Sequence, residues 1–160
     1  MSKFIYFPSF SAGAMGSSLA KNVKLKNGHG LVVSAGKDMT IFTSGNILEN
    51  VFKAVEKVKD KGFNIKLISL PIMKPINNKF VLANFDSKKI LSIEESSLIG
   101  GLSSILPSIY FKKPKKNIQF KSIALRDIVH KSIGSQKYLR NKNMLSSEKI
   151  YKFIIKYLNE

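Results

Sequence analysis

The stretch that most constrains the fold is residues 88–110, where a short strand pattern runs into two glutamates, two glycines and a helical pattern. The apolar run over 90–93 has the length of a buried strand. Glu94 and Glu95 follow at once, and Gly100-Gly101 opens the apolar helix. In an open α/β sheet this order puts the carboxylates at the carboxyl end of a strand. The glycines then let the next helix start close to the sheet.

Composition favours one globular domain. The chain has 160 residues, of which 44% are hydrophobic and 23% charged, enough to bury a core and too apolar for a disordered chain. No apolar run approaches the roughly 20 residues of a membrane span, and the apolar start at 4–7 is cut off by Pro8, too early for a secretory signal. The chain has no cysteine for disulfides or thiolate chemistry, and we expect a cytoplasmic protein.

The net charge of +17 raises the question of an anionic partner. Only Arg126 and Arg140 are arginines among the 27 basic residues, whereas proteins that read bases and phosphates favour the bidentate arginine fork. The sequence contains no zinc-finger spacing and no RNA-binding aromatic signature. We therefore favour a general lysine enrichment, expect the basic run 112–116 to be a solvated loop, and expect neither nucleic-acid nor membrane binding.

The order of the remaining patterns predicts the fold. Residues 1–30 give no regular pattern and are expected to be an N-terminal arm, leaving 31–160 as the domain. Alternating strand and helix patterns predict right-handed crossovers between parallel strands. We predict a three-layer α/β/α domain with a mostly parallel five-stranded sheet, whose first strand is a candidate antiparallel edge. The strand patterns cover 31–34, 39–43, 64–70, 89–93 and 118–124, and the helical patterns cover 46–61, 79–85, 101–111, 127–131 and 146–158.

The clearest helical pattern follows Gly45. Asn46 is predicted as its N-cap, Glu49 completes a capping box, and Gly62 is placed as its C-terminal glycine. Free backbone N–H groups at such a helix start can hold a small anion. Gly45 and Asn46 are therefore a candidate anion site, of a kind that any doubly wound domain can offer.

Taken in order, these motifs resemble the C-terminal domain of the transketolase family, which also includes deoxyxylulose-phosphate synthases and 2-oxoacid dehydrogenase beta subunits. The resemblance covers roughly residues 31–160 and is greatest to the C-terminal section of transketolase. The matching segments are Gly36–Ile41, Lys74-Pro75, Ile93-Glu94-Glu95 with Gly100-Gly101-Leu102, and Leu125-Arg126-Asp127.

The resemblance implies a component of a thiamine-diphosphate-dependent enzyme that moves a two-carbon unit between sugars or related compounds. In this family thiamine diphosphate and magnesium lie on two other domains, and the usual Gly-Asp-Gly motif with a downstream Asn-Asn does not occur here. The chain would thus bind no cofactor or metal, and would have no activity alone. It would instead help to assemble a homo- or hetero-oligomer with a protein chain that carries the thiamine-diphosphate-binding domains.

The resemblance also suggests interface residues. It places Glu95 near the subunit contact, and we expect Gly100 and Gly101 beside it, where no larger residue would fit. Residues 3–7 would be a remnant of the preceding domain.

Other chemistry is less well supported by the residues. Glu94 and Glu95 could be an acid–base pair, but adjacent strand residues point to opposite faces, which favours structural or interface roles. His29 and His130 are the only histidines; Asp127 and His130 are spaced as a surface pair on a helix, and a metal site needs more ligands. We predict no catalytic residue and no metal ligand.

Two alternatives remain open. One is a stand-alone α/β module that binds a small anionic ligand or nucleotide at the glycine helix starts. The other is a basic nucleic-acid-binding protein, whose binding should fall steeply with salt.

Overall fold

The computed structural model describes residues 28–112, 114, 117–127 and 133–160. These residues form a five-stranded sheet in the order β1-β3-β2-β4-β5. β1 is antiparallel to its neighbour β3, and the other neighbouring pairs are parallel. The predicted mostly parallel sheet with an antiparallel edge strand is therefore confirmed. The strands are β1 (Leu31–Ser34), β2 (Met39–Ser44), β3 (Ile65–Ser69), β4 (Lys89–Ser97) and β5 (Gln119–Leu125).

Helices cover both faces of this sheet, which gives the predicted three layers. The second and third helices lie on one face, and the first and fifth on the other. None of the described helices is long and apolar enough to cross a lipid bilayer. The predicted short helix over 127–131 lies outside the described residues apart from Asp127. The α-helices are α1 (Leu48–Lys59), α2 (Asn78–Ala83), α3 (Leu102–Lys112), α4 (Gln136–Lys142) and α5 (Ser147–Leu158).

Two apolar cores hold the layers together. The sheet's alternating side chains send Ile41 and Leu91 toward α1 and α5, and Phe42 and Ile90 toward α2 and α3. On α5, Ile150, Ile154 and Tyr157 are buried, as the helical period predicts. The central strands are thus buried on both faces, which is typical of a parallel sheet.

The start of α1 differs from the prediction. Gly45 has φ +74° and opens a 3₁₀ turn over Gly45–Ile47, and the α-helix begins only at Leu48. The N-cap position before the turn is Ser44, and its side chain makes no capping hydrogen bond. Glu49 forms an ion pair with Lys53 instead of a capping box. The predicted N-cap at Asn46 is therefore wrong, because the 3₁₀ turn begins at the left-handed Gly45 and has Ser44, two residues before Asn46, in the N-cap position.

β4 is longer than its apolar run. It continues through both glutamates to Ser97, which is the register partner of Leu125 on β5. Because β3 lies on one side of β2 and β4 on the other, the carboxyl ends of β2 and β4 meet where the strand order reverses. Open α/β sheets form their functional crevices at such a switch point.

Candidate functional site

The switch point brings together the residues that the sequence singled out. Ser44, the last residue of β2, is the register partner of Glu94 on β4. The turn at Gly45 and Asn46 therefore lies at the same sheet edge as the glutamate pair. The loop after β4 leads through Gly100 and Gly101 into α3 at this edge.

Glu94 caps the N-terminus of α3 from the neighbouring strand. Its side chain is 1% exposed, and its carboxylate accepts hydrogen bonds from the backbone N–H groups of Leu102 at 2.8 Å and Ser103 at 2.9 Å. The Ser96 hydroxyl donates a third, at 2.6 Å. The carboxylate thereby satisfies two otherwise unpaired amides and lies at the positive end of the helix dipole. Of the structural and interface roles expected for the two glutamates, these contacts give Glu94 a structural one.

The two glycines serve different purposes. A Cβ on Gly101 would lie 2.6 Å from Glu94 Cδ and Oε1, so the absence of a side chain at 101 makes room for the capping carboxylate. Gly100 has φ +83°, and a Cβ there would meet nothing within 4 Å. The expectation that no larger residue fits is correct for Gly101. It is wrong for Gly100, which is required by the left-handed backbone instead.

Glu95 points to the opposite face of the sheet and binds α4. Its carboxylate accepts two hydrogen bonds from Arg140, from Nε at 2.9 Å and from Nη2 at 2.6 Å. Both side chains are partly buried. Charge-assisted bidentate pairs of this kind are the stronger class of ion pair. Sequence reasoning did not find Arg140 as the partner, because 45 residues separate the two.

Serines in the first turn of α3 bind the loop between β4 and α3. The hydroxyls of Ser103 and Ser104 both donate to the carbonyl oxygen of Leu98, at 2.5 and 2.9 Å. The backbone N–H of Gly100 donates to the Ser104 hydroxyl at 3.1 Å. Leu98 in turn donates its N–H to the carbonyl of Leu125 at 3.0 Å. These hydrogen bonds tie the loop to the first turn of α3 and to the end of β5.

The candidate anion site at Gly45 and Asn46 is open to solvent. Both residues are exposed, and a Cβ on Gly45 would meet nothing within 4 Å. The nearby carboxylates of Glu94 and Glu95 are each bound by internal donors. The anion site stays a prediction, because accessibility alone does not identify a ligand.

Asn77 has a structural role at the start of α2. Asn77 Oδ1 accepts from the Phe80 backbone N–H at 2.9 Å and so caps α2. Its amide nitrogen lies 2.8 Å from His29 Nε2. Within the described residues, no group of three His, Cys, Asp or Glu side chains could hold a metal ion.

The fold and this edge together define a switch-point α/β domain in which a buried strand glutamate caps the following helix. Residues 28–150 match the protein family described as the C-terminal domain of transketolase. This chain belongs to that family.

Individual relatives agree with the family match. The chain is 33% identical over 79 residues to a pyruvate dehydrogenase E1 component subunit beta of Mesostigma viride, covering 49% of this chain and 24% of that protein. It is 31% identical over 106 residues to a 1-deoxy-D-xylulose-5-phosphate synthase of Shouchella clausii, covering 64% and 17%. The chain thus spans a quarter or less of the length of these two curated relatives.

A solved structure has the same fold. The structure described as a split gene transketolase, inactive beta4 tetramer, superposes with a TM-score of 0.75 at 22% identity. The superposition covers 86% of this chain and 44% of that one. The resemblance to the transketolase C-terminal domain that the sequence motifs indicated is therefore confirmed.

Proposed function

We propose that this chain supplies the C-terminal domain of a transketolase-type, thiamine-diphosphate-dependent enzyme and supports its assembly. The observation that carries the proposal is the family match over residues 28–150. The chain covers 24% and 17% of two of the curated relatives that it matches. The partner would be a protein chain that carries the thiamine-diphosphate-binding domains, in a homo- or hetero-oligomer.

The chemistry of the switch-point edge supports an assembly role. The carboxylate of Glu94 is bound by α3 and that of Glu95 by Arg140. Because both carboxylates are hydrogen-bonded within the chain, they are poor candidates for proton transfer. The same hydrogen bonds join β4 to α3 and to α4 at this edge. We propose that Glu95, Gly100 and Gly101 lie at or beside the contact with the partner.

The cofactor belongs, in this proposal, to the partner. Thiamine diphosphate supplies a carbanion-stabilising ylid when bound, and neither it nor magnesium is assigned to residues of this chain. The reaction would be a two-carbon transfer in carbohydrate metabolism. We propose a cytoplasmic location because the chain has no cysteine for disulfides.

Reconstitution tests the proposal. The chain from the same organism that carries the thiamine-diphosphate domains but lacks this domain is purified, and ketol transfer is assayed with and without the present chain. We expect activity only in the mixture, dependent on thiamine diphosphate and magnesium. Equal activity of the partner alone would contradict the proposal. So would a large, saturable thermal shift of this chain alone with sugar phosphates or nucleotides, which would favour a stand-alone binding module.

A further inference from the structure

We propose that His29 is a pH-sensitive switch for the start of α2. The neutral ring of His29 accepts a hydrogen bond from the side chain of Asn77, which also caps this helix. Protonation of the ring costs one of these two hydrogen bonds, so α2 opens more readily in acid. The switch belongs to this chain alone and is independent of the proposed function.

Hydrogen bonds determine the orientation of the Asn77 side-chain amide. The backbone N–H of Phe80 lies 2.9 Å from one end of this amide. Because a backbone N–H can only donate, that end is the carbonyl oxygen. The other end, Nδ2, therefore faces His29 Nε2 at 2.8 Å. An amide nitrogen donates and does not accept, so Nε2 is the acceptor and the proton of the neutral ring lies on Nδ1.

Protonation of His29 would place two hydrogen-bond donors face to face. An imidazolium carries a proton on both ring nitrogens and has no acceptor left. If the Asn77 amide turned over to offer its oxygen to the ring, its NH₂ group would face the Phe80 N–H and the N-cap of α2 would be lost. One amide cannot serve both a protonated His29 and the helix. A charged ring therefore costs either the contact with Asn77 or the cap.

The backbone on both sides of His29 is packed closely against the start of α2 and the end of β3. The carbonyl of Gly28 accepts a hydrogen bond from the Asn77 N–H at 2.8 Å. A Cβ on Gly28 would lie 2.6 Å from a backbone oxygen of the connection before α2, and one on Gly30 would lie 2.7 Å from the carbonyl oxygen of Ser69. These contacts do not involve the ring, so protonation leaves His29 beside the start of the helix.

The charged side chains on the described elements around His29 are all basic. These elements are β1, β3, the connection 70–77 and α2, and their charged residues are Lys66, Lys74 and Lys79. Lys66 is paired with Asp86, which follows α2, at 2.6 Å. A protonated His29 therefore finds no carboxylate on these elements to replace the hydrogen bond that it loses.

The helix α2 is short enough for its cap to matter. It has six residues, and a helix of this length is not stable without tertiary contacts and caps. Its buried residue Val81 lies in the same apolar core as Leu106 and Ile109 of α3. Because histidine ordinarily changes charge between about pH 5 and pH 8, we expect α2 to open locally as the pH falls through this range, while the rest of the domain stays folded.

Hydrogen exchange of the full chain, followed by NMR at about pH 7.5 and about pH 5, tests the switch across the range in which histidine titrates. Protection factors are compared, which removes the direct effect of pH on exchange. The amides of 80–83 report on α2, and those of 51–58 in α1 are the internal reference. The variants are His29→Gln, whose side-chain oxygen accepts at every pH, and Asn77→Asp, which keeps the cap but replaces the donor by an acceptor. His130→Gln, which removes the other histidine, is the matched control.

We expect protection of the 80–83 amides in the parent to fall about threefold to tenfold at the lower pH, as for the loss of one hydrogen bond. His130→Gln should show the same fall. His29→Gln should change less than about twofold, because glutamine has no charge to gain. In Asn77→Asp the sign should reverse, with more protection at the lower pH, because the imidazolium donates a charge-assisted hydrogen bond to the carboxylate. Circular dichroism checks that each variant is folded.

Three results overturn the switch. If His29→Gln loses as much protection in acid as the parent, another group is responsible. If Asn77→Asp loses protection with the same sign as the parent, the hydrogen bond between His29 and Asn77 is not the cause. If the parent shows no change in α2, or an equal change in α1, acid does not act locally on this helix.

Discussion

Glu95 on β4 and Arg140 on α4 join a surface helix to the carboxyl end of β4 through two hydrogen bonds of 2.9 and 2.6 Å. The helix has no fully buried residue, so apolar burial contributes little to its position. The ion pair is partly shielded, with side-chain exposures of 14% for Arg140 and 28% for Glu95. The pair therefore helps to orient α4, together with the hydrogen bond from Lys149 Nζ to the carbonyl oxygen of Asn141 at 2.7 Å.

Substitution of Arg140 should loosen α4 while the core stays folded. We expect Arg140→Ala to lower the free energy of unfolding by about 1 to 3 kcal/mol, because Glu95 loses its charged donor. Arg140→Lys, which keeps the charge but loses the fork, should cost about half as much. Native-state hydrogen exchange is the measurement: amides of 136–142 should exchange faster in both variants, and those of α1 should not change. Unchanged exchange in α4 would contradict the role of the pair.

The sequence patterns located the sheet but not α4. The central strands β2, β3 and β4 carry apolar residues in runs typical of buried strands, and α1 and α5 have clear apolar faces. The helix Gln136–Lys142 has only two apolar side chains, Tyr138 and Leu139, which are adjacent and so form no periodic apolar face. Its ion-pair partner is a glutamate distant in sequence. Hydrophobic periodicity has no signal for such an element.

Local sequence rules for N-caps also could not predict that Glu94 caps α3. A helix that begins after Gly100-Gly101 has no Ser, Thr, Asp or Asn in the ordinary N-cap position, and that gap was the available signal. The partner amides at Leu102 and Ser103 come together with Glu94 only in the folded chain. The N-cap prediction at Asn46 failed because Gly45, which has a positive φ, begins a 3₁₀ turn ahead of the α-helix.

Replacing Glu94 by glutamine should destabilise the fold more than an equivalent surface change. The amide retains one acceptor oxygen but presents an NH₂ group to a backbone N–H, so one capping bond is replaced by two facing donors. We expect a loss of about 1 to 3 kcal/mol in the free energy of unfolding. Glu56→Gln is the matched control; it removes a solvent-exposed ion pair with Lys59 and should cost less than about 1 kcal/mol. Urea unfolding of both variants gives the comparison, and equal losses would rule out a special role for Glu94.

The two glycines should respond differently to alanine. Gly101→Ala places a methyl group against the Glu94 carboxylate and should disturb the fold before it disturbs any association. Gly100→Ala meets open space and should cost only about 1 to 2 kcal/mol, from the left-handed backbone. A double-mutant cycle tests the cause. In thermal unfolding, adding Gly101→Ala to a Glu94→Ala background should cost clearly less than adding it to the parent; equal costs would place the clash elsewhere.

Tyr157 makes stability fall at alkaline pH. Its hydroxyl donates to the carbonyl of Gln119 at 2.7 Å, and burial, with a smaller effect of the Glu160 charge, raises the pKa of Tyr157 from 10.0 to about 12. Because the folded state favours the neutral phenol, the contribution of Tyr157 to the free energy of unfolding is complete below pH 10. It is lost as the pH rises toward 12. From a shift of two pKa units we expect a loss of about 2 to 3 kcal/mol.

Tyr157→Phe is the control for that pH effect, since lysines titrate in the same range. At neutral pH the variant should be about 1 kcal/mol less stable than the parent, because a buried carbonyl loses its donor. Between pH 10 and pH 12 the difference should shrink and then reverse, as followed by urea unfolding at each pH. A constant difference across that range would show that Tyr157 does not titrate as described.

The central claim is that this chain assembles with a chain that carries the thiamine-diphosphate domains. Sedimentation velocity of the two purified chains, alone and mixed at equal concentration, tests it most directly. The account predicts that the mixture gives a single boundary, faster than that of either chain, which contains both chains in a fixed ratio. Two boundaries at the positions of the separate chains, unchanged by thiamine diphosphate and magnesium, would contradict it.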